Sequence, residues 1–219
     1  MNKEWSELNK TMQIQIKKEP TFHDGIETLL GLRQKLIDEL YRLKIELNRE
    51  EFNAIPFINA NGYHSKTIAY SIWHIFRIED IVAHSLIKKD EQIFFSGNYQ
   101  IRTNSPIITT GNELLKEQIS EFSKSLDLEE LYEYVSDVKN STNDILKNLK
   151  YSDLKRKITD EDKKQLKSLS VVSIDENAYW LIDYWCRKDV RGLIQMPFSR
   201  HWIMHIEASL RIKSKIHSN

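Results

Sequence analysis

Two histidines stand four residues apart near the end of this 219-residue chain, in the run Pro197-Phe198-Ser199-Arg200-His201-Trp202-Ile203-Met204-His205-Ile206-Glu207. The run reads as the opening of a helix. One helical turn takes about 3.6 residues, so His201 and His205 project from one face, one above the other, and two imidazoles so placed can share a metal ion. A firm site needs a third ligand. His74 is the candidate, because it sits between Trp73 and Ile75 in a segment otherwise built for the core. His64, at the entrance of that segment, is the fallback. His84 lies ten residues beyond His74, about 15 Å along the same helix, too far to share its ion. His23 and His217 lie near segment ends and read as surface residues. Arg200, beside the pair, is a candidate to hold a substrate carboxylate or phosphate, with a surface ion pair as the ordinary alternative.

Three neutral imidazoles leave the charge of a divalent ion uncompensated and coordination positions open, which is the pattern of catalytic rather than structural sites. An ion so held lowers the pKa of a bound water or holds a thiol as thiolate. Zinc and nickel are favoured, and iron and manganese are chemically admissible. A metal-bound imidazole donates its other ring N–H to an acceptor, for which Tyr70, Glu79 and Asp183 are candidates. Asp80 and Asp175 are candidate general bases, against the commoner reading of solvated helix acids. Cys186 reads as a buried structural thiol.

The elements that must carry these residues are helices. After Asp24, taken as an N-cap with Glu27 three residues on, Ile26, Leu29, Leu30, Leu36, Ile37, Leu40, Leu43 and Leu47 trace one apolar stripe, with Arg33, Lys35, Asp38 and Arg42 mainly outside it. A second helix over roughly 66–88, capped by Ser65, presents Ile68, Ile72, Ile75, Ile78, Val82 and Leu86. Residues 89–109 form a connection long enough to cover a pocket. Thr110-Gly111-Asn112-Glu113 reads as a capping box that opens a short helix, and Asp127 restarts the chain into a long one ending near Leu149. Residues 150–172 are lysine-rich without a periodic apolar face and read as a solvated excursion. Ser173 with Glu176 then opens a helix to about Lys188, and the last helix keeps Ile203, Ile206 and Leu210 on a core face. No sustained alternation and no repeat occurs. The expected architecture is all-α, with four main helices, extra short helices and long loops: an N-terminal extension over 1–23 and a helical domain over 24–219.

At this point the chain resembles the DinB/YfiT-like superfamily of metal-dependent four-helix bundles. The resemblance is carried by Ser71-Ile72-Trp73-His74 in the second helix, by the stretch from Ser125 to Val135 and on through Asn143 to Leu149 and Leu154, and by the His-x-x-x-His of the last helix. It covers roughly residues 24–214. It implies a four-helix bundle whose metal triad is His74, His201 and His205. It also implies either metal-assisted hydrolysis or transfer chemistry with a low-molecular-weight thiol such as bacillithiol or mycothiol. Where the commoner pattern has an Arg-Gly-Gln run after the second histidine of the pair, this chain has Ile206-Glu207-Ala208. The competing expectation is a non-catalytic helical stress-response or interaction protein whose metal site is vestigial or structural.

Composition narrows the partners. Lysine plus arginine and aspartate plus glutamate both number 32, so nothing draws the chain toward nucleic acid or an anionic membrane. Acids at 160–162 neutralise the small lysine cluster at 163–167. No window approaches the ~20 apolar residues of a membrane span, and residues 1–20 do not read as a signal peptide. One cysteine rules out an internal disulfide framework and fits a reducing, cytoplasmic setting. A small-molecule substrate is expected, and pairing through helix faces into a homodimer is expected from bundles of this type.

Overall fold

The computed structural model describes residues 2–218, and among them the chain is all-α, with only an isolated bridge between Lys157 and Asp189. Helix α1 (Lys3–Gln15) is followed by α2 (Phe22–Glu46) and the short α3 (Arg49–Asn53). Helix α4 (Ile68–Asp80) continues without a break into a π-helical stretch over Ile81–Lys88, which Lys89 ends in the left-handed conformation at φ 63°. Short helices α5 (Ile93–Ser96) and α6 (Tyr99–Arg102) precede α7 (Glu117–Ser125) and the long α8 (Leu128–Asn148). Then come α9 (Asp160–Ser168), α10 (Glu176–Cys186) and α11 (Val190–Ile194). A π-helical turn over Met196–Arg200 leads into α12 (His201–Ile216).

The four long helices contact one another in a ring: α2 lies against α8 and α12, and α4 lies against the same two. Helix α4 is the centre of the molecule. All thirteen of its residues are buried, as expected of a helix with no solvent face. Its cap is Thr67, whose hydroxyl accepts from Tyr70 N at 3.0 Å, and not Ser65, which bonds back to the Gly62 carbonyl. Every face of α4 must satisfy its own polar groups. Arg77 donates to the Ile108 carbonyl and to Gln92, and Asp80 accepts from Ile93 N, Phe94 N and the Tyr134 hydroxyl. Asp80 is therefore a structural acceptor that organises α5, with no oxygen left for general-base work.

Several local expectations change. Helix α2 starts two residues before Asp24, which lies in its first turn, so Asp24 is not the cap. Arg33 is not on the outer face: it is fully buried, and both its terminal nitrogens meet Glu79, at 2.7 and 2.8 Å. Residues 110–113 start no helix. Gly111 takes φ +76°, Thr110 bonds Asn112, Glu113 bonds Thr109, and α7 begins only at Glu117. The lysine-rich stretch is not a solvated excursion either. Thr159 and Asp162 form a reciprocal cap on α9, and Leu154, Ile158, Leu166, Val171 and Val172 are buried with α10 and α11 in a second core cluster. The apolar residues there are sparse because each short element buries only one or two. Asp175, not Ser173, caps α10. At the N-terminus, Trp5 and Met12 bury α1 against α2, where Gly25 lets the Ile16 backbone approach closely: a Cβ at Gly25 would lie 2.9 Å from Ile16 N.

Candidate metal centre

His74 projects from the middle of α4, and His201 and His205 from the first two turns of α12, two helices in direct contact. The structure brings the three together. One ligand nitrogen from each lies within 4.8 Å of the others, and all three rings are buried. Ring centroids stand 5.0 Å (His74 to His201), 4.8 Å (His74 to His205) and 4.6 Å (His201 to His205) apart, with the planes inclined by 52–69°. Rings around one tetrahedral ion have nitrogens about 2.0–2.1 Å from it, hence roughly 3.3 Å from one another. Small side-chain adjustments close that gap. Three buried histidines so arranged could hold a metal ion.

The orientation of His74 has an identifiable cause. Its Nδ1 lies 2.7 Å from the Thr110 carbonyl oxygen. A carbonyl only accepts, so Nδ1 carries the proton and Nε2 keeps the lone pair that a metal requires. The turn that presents this carbonyl is locked by Tyr70, whose hydroxyl donates to the Gly111 carbonyl at 2.9 Å and whose ring lies 3.0 Å from where a Cβ on Gly111 would stand. Tyr70 also stacks on His74, with centroids 5.4 Å apart and planes 12° off parallel. The acceptor for His74 is thus a backbone oxygen in a loop, a group that side-chain types in the sequence do not reveal. Of the three acceptors expected, Tyr70 stacks instead, Glu79 is taken by Arg33, and Asp183 pairs with Lys163 at the surface.

His201 is set by the π-helical turn before it. Arg33 donates to the Phe198 carbonyl at 3.1 Å within that turn and lies 4.2 Å over the Trp202 ring, so a buried cation from α2 grips α12 on either side of His201. Such wide turns free carbonyls from the helix ladder and recur at functional sites. Nδ1 of His201 and Nδ1 of His205 are buried without a hydrogen-bond partner among the described residues. Buried nitrogens that the protein leaves unpaired are completed by water or an ion, so the donor set fits a metal.

Burial sets the electrostatics. Desolvation lowers His74 to about 4, opposed by the bond to Thr110 and aided by the charge of Lys66. Desolvation, aided by the nearby His74 ring and, for His205, by His201 as well, pushes His201 and His205 well below the ordinary imidazole value. All three are neutral at pH 7, the state that ligates. They open into a cavity of about 280 Å³ walled by Tyr63, Ile78, Asn112, Met196, Pro197 and four residues of α10, namely Trp180, Leu181, Tyr184 and Trp185. Among the described residues no acid lines it. Tyr63 closes one side, its ring edge-on to His205 at 4.8 Å.

The other residues singled out in the sequence lie elsewhere. Arg200 is exposed and is not part of the cavity wall. His64 packs edge-on against Phe57 and faces a surface groove on the far side of Tyr63. His84 is held between Asp90 at 2.6 Å and Ser141 at 3.1 Å, and His217 pairs with Glu51. Asp175 is used as the cap of α10, and burial pushes the Cys186 thiol up to about 11. Two cavity residues carried a legible sign, since Trp180 and Tyr184 are four apart and therefore share a face of α10. Lys66, one residue before the cap of α4, carried none. No family model matches the sequence, and no curated protein matches it.

Proposed function

We propose that this chain is a metal-dependent enzyme of the DinB/YfiT-like four-helix-bundle type, in which His74, His201 and His205 hold a divalent ion, zinc or nickel, and present it to a small-molecule substrate. The ring of contacts among α2, α4, α8 and α12 supports the bundle reading. The observation that carries the functional one is the convergence of three buried, neutral imidazoles at the wall of a cavity that no acid lines among the described residues. When bound, the ion supplies a Lewis acid that acidifies a water or thiol ligand, suiting hydrolysis or transfer to a low-molecular-weight thiol. Because the lining offers no carboxylate among the described residues, activation of the nucleophile falls to that ligand sphere and not to a carboxylate base.

The chain's own residues do the rest. The Thr110 carbonyl holds the proton on Nδ1 of His74 and so fixes its tautomer. Arg33 sets the register of the turn that delivers His201. Trp180, Tyr184 and Trp185 wall one side of the cavity with aromatic surface, of which Trp185 is fully buried. Metal analysis of the purified protein tests the reading. The expected result is about one equivalent of zinc or nickel per chain. The same measurement on His201→Ala should show a loss of affinity of at least ~100-fold, beyond the 10–100-fold cost of disturbing an outer partner. Wild type and variant both free of metal and equally indifferent to chelator would leave a helical protein with a vestigial site.

A further inference from the structure

His84 is a buried titratable group that the metal centre leaves unused, and it stands at the middle of a second constellation. It lies in the π-helical stretch that prolongs α4, ten residues beyond His74. Its Nδ1 meets Asp90 Oδ1 at 2.6 Å, and its Nε2 meets the Ser141 hydroxyl of α8 at 3.1 Å. A hydroxyl, an imidazole and a carboxylate joined in that sequence are the parts of an activated serine nucleophile, which is recognised by geometry and not by position in the chain.

The backbone builds this arrangement. Lys89 ends the π-helical stretch in the left-handed conformation, and the chain turns back so that Asp90 N bonds the His84 carbonyl at 3.0 Å. Asp90 is thus fixed on His84 through main chain and side chain together. Desolvation raises the Asp90 carboxyl, but the bonds from Lys88 and His84 outweigh it and hold the group below its ordinary value. An ionised carboxylate only accepts, so Nδ1 carries the proton, and in the neutral ring Nε2 is left as the base. Ser141 meets that base in a way other helical serines do not. Ser71, Ser123, Ser209 and Ser214 each donate to the carbonyl four residues back, the usual outlet for a serine inside a helix. Ser141 is directed at the imidazole instead. Asp80 Oδ1 lies 4.0 Å from the same Nε2, so an imidazolium formed there has a carboxylate beside each ring nitrogen. His84 itself is only 1% exposed, whereas Ser141 is half-buried and forms part of the wall of a surface groove of about 440 Å³. Ile87, Ile145 and Leu149 give this groove its apolar surface, and Lys88 and Asp144 its charge. It shares no lining residue with the cavity of the three histidines, and its volume falls in the ~300–1,000 Å³ range of small-molecule sites.

We propose that Ser141 is a nucleophile activated by His84, with Asp90 orienting the imidazole, and that it hydrolyses small esters whose short apolar acyl chain rests on Ile87, Ile145 and Leu149. Ser141 Oγ attacks the ester carbonyl carbon while its proton passes to Nε2 of His84. The bond to the alcohol oxygen breaks, and that oxygen leaves with the proton from His84. Water then attacks the acyl carbon, gives a proton to Nε2, and releases the carboxylic acid as Ser141 Oγ recovers its proton.

Intact-mass analysis after exposure to a small alkyl fluorophosphonate tests the nucleophile, because attack of Ser141 Oγ on phosphorus expels fluoride and leaves a stable adduct. The expected result is about one adduct per chain, mapped to Ser141 by peptide fragmentation. Hydrolysis of p-nitrophenyl butyrate by chelator-treated protein tests turnover with metal kept out of the reaction. Ser141→Ala should lose the adduct and at least ~100-fold of the ester rate, and His84→Gln should slow both by at least ~100-fold. Far-UV circular dichroism and the melting temperature show whether the buried His84→Gln variant folds. Asp90→Asn, at an exposed position, is the second variant: it should lower the rate ~10-fold or more, in kcat rather than KM, with the helical signal intact. An unlabelled Ser141, a wild-type ester rate no greater than that of Ser141→Ala, or labelling indifferent to both His84→Gln and Asp90→Asn overturns the proposal.

Discussion

His74, His201 and His205 are more useful as neutral bases than as charges, and their surroundings keep them so. Desolvation dominates all three shifts, holding His74 near 4 and the other two well below the usual value. An unfolded chain takes up protons at the ordinary imidazole value near 6.5, while the folded metal-free protein resists until far lower. Stability is therefore fully present above pH ~6.5 and is lost as pH falls toward about 4, on the order of 1 kcal/mol per pH unit for each ring in that window. Urea unfolding of the metal-free protein between pH 7 and 4 measures it. Replacing His205 by the near-isosteric Gln should flatten the profile, and an unchanged slope would show that the rings are more solvated than their burial implies.

Among the helices, α12 is placed by contacts that lie outside its own sequence. Arg33 of α2 is held by both carboxylate oxygens of Glu79 of α4, by Asn143 of α8 at 2.9 Å and by the Phe198 carbonyl, with Trp202 beneath it. One guanidinium thus ties four segments together on either side of His201. Removing one member of a buried pair leaves the other charge unpaired, which typically costs about 3–5 kcal/mol, whereas replacing both by apolar residues is often close to neutral. Arg33→Met should accordingly lower the unfolding free energy by several kcal/mol, and Arg33→Met with Glu79→Leu should recover most of it. Denaturant titration of the two variants decides this. Zinc affinity should stay low in the double variant, because the Phe198 carbonyl still lacks its donor and the π-helical turn before His201 loses its grip. Full recovery of zinc binding along with stability would show that Arg33 serves the fold alone.

For the molecule as a whole, a metal held by His74, His201 and His205 would join segments more than a hundred residues apart in the chain. Binding that is confined to the native state stabilises it, by about 2.7 kcal/mol when free ligand stands at a hundred times its dissociation constant. For a chain of this size ~1 kcal/mol moves the melting temperature by about 2–4 °C. Zinc at that excess should raise the midpoint by roughly 5–10 °C in differential scanning calorimetry, and a chelator should reverse it. His201→Ala should melt at the same temperature with and without zinc. A zinc response that survives the substitution would place the ion elsewhere.

The long helices and the polar residues they carry were legible from residue order alone. The stripes of α2, α4, α8 and α12 recur every three to four positions, and that periodicity is a property of each helix by itself. It also placed His74 mid-helix and put His201 and His205 on one face. What residue order left undecided was every relation between segments: that Arg33, which reads as an outer-face residue, faces Glu79 across the core; that Thr110 offers a carbonyl, not a helix cap, because Gly111 turns the chain beneath Tyr70; and that the lysine-rich stretch after α8 folds into the wall bearing Trp180 and Tyr184. In each case the local pattern was neutral between two outcomes. Burial of a partner distant in the chain chose between them, since the free energy of covering an apolar surface or pairing a buried charge exists only once both sides have met.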